Sequence, residues 1–135
     1  MEYIPEIYFR DDEYRVTNTG NIVSWDASIS GSHQVEIPGG KCIIKKGVVI
    51  RGDLAPVRIN RYTIIGENTV LHPSYTTLAM SKVFEFIPIT IGKFTQIGAN
   101  CVIESAVIGL GCVIEDDCVL SPRTILKDHV LVMKV

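Results

Sequence analysis

The sequence predicts an all-β chain wound as a single-stranded parallel β-helix, and three observations predict it. An aliphatic residue recurs every sixth position: Ile59, Ile65 and Leu71, then Ile91, Ile97 and Ile103, then Ile108, Ile114, Leu120 and Leu126. A small residue sits fifth in these units, as Thr63, Thr69, Thr95, Cys101, Cys112 and Cys118 do, often with Gly or an acid second. No stretch carries helical periodicity. A strict step of six is the hexapeptide rhythm of a parallel β-helix. A sandwich of short strands would instead place turn signals every 8–12 residues.

Each unit is then a short strand and a corner, and three units close one triangular coil. The opening aliphatic points inward and stacks on its equivalent one coil away, about 4.8 Å along the axis. Burying each one contributes roughly 1.5–3 kcal/mol before the entropy of ordering is subtracted. The fifth residue meets a crowded corner and must be small. No coil buries its own face, so stability comes from stacking.

Along the chain, residues 1–28 form a lead-in. Tyr14–Thr17 and Asn21–Ser24 flank Asn18-Thr19-Gly20 and read as a small hairpin. The β-helix occupies 29–135. It begins near Ile29 and Val35 and runs through Ile37, Ile43 and Val49 as inward positions. Four residues from Ala55 to Arg58 precede Ile59 as a small bulge. An excursion covers 72–90, with Tyr75, Met80, Phe84 and Phe86. Excursions from a solenoid carry contacts or function, and these aromatics either meet a partner or fold back on the coil wall. The stretch Ile103 to Val107 is one residue short of a unit, which sets Cys101 and Cys118 on one face, one coil apart. With Cys42 and Cys112 they read as small buried reduced thiols. The last residues, Val130 to Val135, still read as strand. An open coil end of that kind calls for a covering partner or a longer chain.

The composition excludes several classes. The 135 residues suffice for one domain, with 47% hydrophobic residues and a net charge of −2. No basic run points to nucleic acid. Met1 to Glu6 carry no apolar signal core, and no apolar run reaches the 18 residues of a membrane span. The expectation is a soluble intracellular chain without membrane insertion. Reading Arg51-Gly52-Asp53 as an adhesion tripeptide fails for the same reason.

The order Arg51-Gly52-Asp53, Val57-Arg58-Ile59 and Val70-Leu71-His72 resembles the γ-class carbonic anhydrase family over most of residues 29–131. That resemblance implies a trimeric LpxA-like fold with left-handed winding, although crossovers between parallel strands are normally right-handed. His72 stands where the family's first zinc ligand belongs. The second and third positions hold Ala99 and Glu104, so two of three zinc histidines are missing. Zinc takes three or four N, S or O ligands. His72 and Glu104 supply two at most, with His129 and His33 coils away. The resemblance therefore implies a vestigial His72, no cofactor and no catalytic residues. In that family the pair matching Arg51 and Asp53 makes ionic contacts between subunits, whereas as a solvated pair it contributes 0–1 kcal/mol.

A second resemblance covers the chain to about Leu131. Arg51 to Arg58, Phe86-Ile87-Pro88, Ile91-Gly92, Cys101-Val102-Ile103, Ala106 to Gly109, Cys112-Val113-Ile114 and Cys118-Val119-Leu120 are similar to the dynactin subunit 5 family of the pointed-end complex. It implies a non-catalytic structural subunit that pairs with a second β-helical subunit and an actin-related protein. Dynein-dependent transport on microtubules and attachment of cargo adaptors follow from it, with placement in the cytoplasm and cytoskeleton, kinetochores included. Arg51, Asp53, Arg58, Phe84 and Phe86 are then the expected partner interface. Family members continue past Val132 with a Pro-Pro step and further coil, where this chain has Met133-Lys134-Val135. The alternatives are a zinc lyase with altered ligands, or a hexapeptide-repeat acyltransferase that uses coenzyme A with His72 as base.

Overall fold

The structure is a computed structural model, and it describes residues 13–77 and 84–134. Residues 1–12 of the expected lead-in and Met80 of the excursion lie outside the described residues. Three parallel sheets form the faces of a triangular β-helix. Face one stacks Ile22–Ser24, Ile43–Ile44, Ile64–Ile65, Gln96–Ile97, Val113–Ile114 and Leu131–Val132. Face two stacks Ser28–Ser30, Val49–Arg51, Val70–Leu71, Val102–Ile103 and Val119–Leu120. Face three stacks Val35–Glu36, Val57–Ile59, Ile89–Ile91, Val107–Ile108 and Ile125–Leu126. The chain visits faces one, two and three in turn. We call the turns first corner (one to two), second corner (two to three) and third corner (three to one). Among the described residues no helix is long and apolar enough to cross a membrane.

The inward ladder follows the hexapeptide phase. Ile59, Ile65, Leu71, Ile91, Ile97, Ile103, Ile108 and Ile114 are buried, and Leu126 and Val132 pack against them in part. At the start of the helix the phase is one residue later than the sequence reading. Ile43 and Val49 lie in register with the outward Ile64 and Val70, whereas Ile44 and Ile50 face the core. The cause is Gly39-Gly40, both at positive φ, which add a residue at the third corner after Ile37. In Ile43-Ile44 and Val49-Ile50 both members are aliphatic, so hydrophobicity alone does not reveal the shift.

The fifth position does more than stay small. Thr63 Oγ1 donates to the Gly92 carbonyl at 3.1 Å, Thr69 to Gly98 at 2.7 Å and Thr95 to Gly109 at 2.9 Å. The Cys42, Cys101 and Cys112 thiols reach the carbonyls of Asn60, Glu115 and Lys127 at 3.0, 3.2 and 3.1 Å. Each side chain caps a corner carbonyl of the next coil, which a buried corner needs. Burial pushes the Cys42 and Cys101 thiols above their ordinary range, keeping them protonated donors.

Tyr14–Val16 and Ile22–Ser24 form the expected antiparallel hairpin. Its second strand also pairs in parallel with Ile43–Ile44, so that strand is part of face one. The excursion is a second antiparallel hairpin, Tyr75–Thr77 with Phe84–Phe86.

Candidate functional site

Register brings several of the expected residues to one corner. Val49, Ile50 and Val70, Leu71 pair in order, so Arg51 and His72 follow them level on successive coils. The His72 N–H donates to the Ile103 carbonyl at 2.9 Å, which sets Glu104 level with His72 one coil further on. Arg51, His72 and Glu104 thus stack along the second corner. The Arg-Gly-Asp turn fits there because the coil before it is thin. A Cβ on Gly31, at φ 62°, would strike the Asp53 backbone, and one on Gly52 would lie 2.5 Å from Val35 Cγ2.

Arg51 and Asp53 grip each other. The guanidinium Nε and Nη2 donate to Oδ1 and Oδ2, both at 3.0 Å, the two-pronged geometry arginine favours with carboxylates. That hydrogen bond holds the Asp53 carboxyl below the usual carboxylate range, with His72 adding a smaller pull in the same direction. The pair is open to solvent.

Beside it lies an open cleft of about 400 Å³, lined by His72, Ser74, Tyr75, Glu104, Pro122 and Arg123. Among the described residues, His72 Nδ1 and Ser74 Oγ are buried without a hydrogen-bond partner, as is Ser105 Oγ next to Glu104. Ala99 is at the first corner, where its N–H donates to Asp116 Oδ1 at 2.8 Å. His129 is at the third corner and His33 is in a 3-10 turn, Ser32–Gln34. Among the described residues no three His, Cys, Asp or Glu side chains gather to hold a metal. Among the described residues a zinc ion at His72 would find Glu104 as its one further protein ligand, fewer than zinc takes. The donor set does not fit that ion.

The remaining expected residues spread out. Arg58 faces outward on face three, 3.7 Å from Glu36 of the preceding coil. Phe86 is half-buried and meets Tyr75 edge to face at 6.1 Å, so at least one excursion aromatic packs within its own hairpin. The Phe84 side chain lies outside what is described. Its backbone pairs with Thr77.

The profile of the dynactin subunit 5 family matches residues 1–135. The chain belongs to the dynactin subunit 5 family. Dynactin subunit 5 of Dictyostelium discoideum is 43% identical over 102 residues, covering 76% of this chain and 50% of that protein. The chain therefore spans about half the length of this relative. A γ carbonic anhydrase of Arabidopsis mitochondria, gamma carbonic anhydrase 2 of Arabidopsis thaliana, is 32% identical over 112 residues, covering 83% of this chain and 36% of that enzyme. AntD, an N-acyltransferase of Bacillus cereus, aligns at 14% identity and a TM-score of 0.38 over 81% of this chain and 77% of its own. That distance carries no argument about function.

Sequence reasoning missed a second surface, at the third corner. Tyr62 and Phe94 stack at 5.1 Å with rings inclined by 15°, and Arg61 lies 5.6 Å over the Tyr62 ring. Both aromatics sit in left-handed backbone, at φ 60° and 58°. Their position, fourth in the unit, was the available signal. The first corner places Asn68, Asn100 and Asp117 there, with Gly47 before them. The left-handed region costs an ordinary residue roughly 1–2 kcal/mol, and Gly and Asn visit it most readily.

Proposed function

We propose that this member of the dynactin subunit 5 family is a non-catalytic structural subunit of dynactin's pointed-end complex. The match of the family profile along the whole chain carries this reading. The second corner agrees with it, because His72 and Glu104 alone do not make a zinc centre. In this reading the chain joins a second β-helical subunit and an actin-related protein. It supports dynein-dependent transport along microtubules and attachment of cargo adaptors, in the cytoplasm and on the cytoskeleton, kinetochores included. Arg51 and Asp53, with Arg58, Phe84 and Phe86, form the contact with the neighbouring subunit. Their two-pronged pair is preorganised for a partner's polar groups.

The test is recovery of the chain, tagged at its N-terminus, from cells under gentle conditions, with mass spectrometry of what accompanies it. The expected result is the other pointed-end subunits in constant ratio, reduced in an Arg51→Ala/Asp53→Ala variant that melts like the parent. The Arabidopsis relative keeps a zinc lyase in view. Stoichiometric zinc, with carbon dioxide hydration lost in His72→Ala, would replace the structural reading with that one. The acyltransferase alternative fails if the chain does not bind coenzyme A.

A further inference from the structure

We infer that the third corner is a docking edge for an acidic, apolar-bearing peptide segment of a protein partner. The inference concerns a different surface from the one assigned to subunit assembly, and it stands whether or not the chain enters dynactin. Backbone hydrogen bonds order the corner: Tyr62 N–H to Gly40 O, Phe94 N–H to Arg61 O, Gly111 N–H to Lys93 O and His129 N–H to Leu110 O. Lys41, Tyr62, Phe94, Gly111 and His129 therefore form one column, all in left-handed backbone. Arg61, Lys93 and Lys127 sit beside that column in the same turns.

The first corner is an internal control. It performs the same turn with Gly47, Asn68, Asn100 and Asp117, so this turn geometry does not require aromatic residues. Tyr62 and Phe94 nonetheless occupy the strained position and remain 41% and 56% exposed. Large rings held in an unfavourable backbone and left in water mark a place where something else covers them.

Charge identifies the occupant. Among the described residues Lys41, Arg61, Lys93 and Lys127 form no ion pair and gather at this one corner; Arg15, Lys46 and Arg123, also without one, are scattered elsewhere, and Lys45, Arg51, Arg58 and Lys134 are paired. The carboxylate in these turns is Asp128, and its Oδ1 already accepts the Leu110 N–H at 2.8 Å. A ridge of cations beside a flat aromatic stack fits carboxylates flanking an apolar side chain. A basic ridge with exposed rings also suits single-stranded nucleic acid. Against that, the chain as a whole carries a net charge of −2, and the adjacent first corner carries Glu67, Glu115, Asp116 and Asp117 against Lys45 and Lys46. A long polyanion would meet that acidic neighbour, and a short peptide would not.

The test titrates the folded chain with a fluorescein-labelled peptide alternating Glu or Asp with Leu. A Lys-Leu peptide and a short single-stranded RNA serve as comparisons. The expected result is binding of the acidic peptide alone. Tyr62→Asn/Phe94→Asn should weaken it by about tenfold or more, with a melting temperature equal to or above the parent's, since Asn suits this backbone. Arg61→Gln/Lys93→Gln keeps the rings and should weaken binding while flattening its salt dependence. That second variant decides the matter if the first melts early. Undiminished peptide binding in both variants, no peptide binding at all, or equal affinity for the RNA each overturns the inference. Self-association abolished by the Asn pair would assign the edge to a second copy of this chain instead.

Discussion

The first and second corners of this β-helix solve the same problem differently. At the first corner every turn takes six residues: Ile44 to Ile50, Ile65 to Leu71, Ile97 to Ile103, Ile114 to Leu120. At the second, successive turns hold a 3-10 turn, the Arg-Gly-Asp loop, a hairpin, a turn one residue short, and a regular turn. The strands on either side stay in register throughout. Regularity at one edge thus coexists with free variation at another, and the polar cluster of Arg51, Asp53, His72 and Glu104 lies on the variable one.

The comparison breaks hardest at what both corners share. Ile97→Asp should place an unpaired carboxylate in the inward ladder, where Ile97 is 2% exposed. The loss expected is about 4 kcal/mol or more, enough to abolish a cooperative thermal transition followed by circular dichroism. The outward Val119→Asp should melt within about 0.5 kcal/mol of the parent. If the two melt alike, the inward face has been misassigned.

A smaller effect separates the corners themselves. Gly66 belongs to the regular corner, and a Cβ there would sit 2.5 Å from the Gly98 backbone. Gly66→Ala should destabilise by about 1–3 kcal/mol in urea unfolding. Thr69→Val removes the cap on the Gly98 carbonyl and should lower the urea midpoint by the equivalent of about 1–2 kcal/mol at unchanged slope.

Least change is expected at the irregular corner. Arg51→Gln should alter unfolding by no more than about 0.5 kcal/mol. It should, however, raise the Asp53 titration midpoint, followed by the carboxyl carbon in NMR. The sign follows from the depressed folded value. Whatever stability the Arg51–Asp53 pair contributes is present above the unfolded carboxyl's titration and lost as pH falls through the folded one. An Asp53 midpoint unmoved by Arg51→Gln would show that the pair does not persist in solution.

Much of this was legible in the sequence, for physical reasons. The inward ladder was readable because Ile and Leu recur against polar neighbours, whereas Arg51, Asp53, His72 and Glu104 were singled out by the resemblance to the γ-class carbonic anhydrases and not by the step of six. The early phase was not readable, because Ile43-Ile44 and Val49-Ile50 look alike in both phases and the extra residue at Gly39-Gly40 is silent in hydrophobicity. The capping role of Thr63 or Cys101 was hidden because smallness alone explained those residues. The Tyr62–Phe94 stack was missed because periodicity describes inward positions and says little about the turn. The hand of the winding is in no pattern of residues and rests on resemblance.

The hairpin between Leu71 and Ile91 has a bearing on how such a chain can change over time. The entropic cost of closing a loop grows with the logarithm of its length. Replacing a hexapeptide turn by this hairpin therefore adds only about 1 kcal/mol to the cost of bringing the next strand home. Coils above and below are bound by neighbours already in place, so they do not register the detour. The second corner thus acts as a margin in which segments can be lengthened, shortened or exchanged at small thermodynamic cost, and new contacts can be tried there without redrafting the body of the fold.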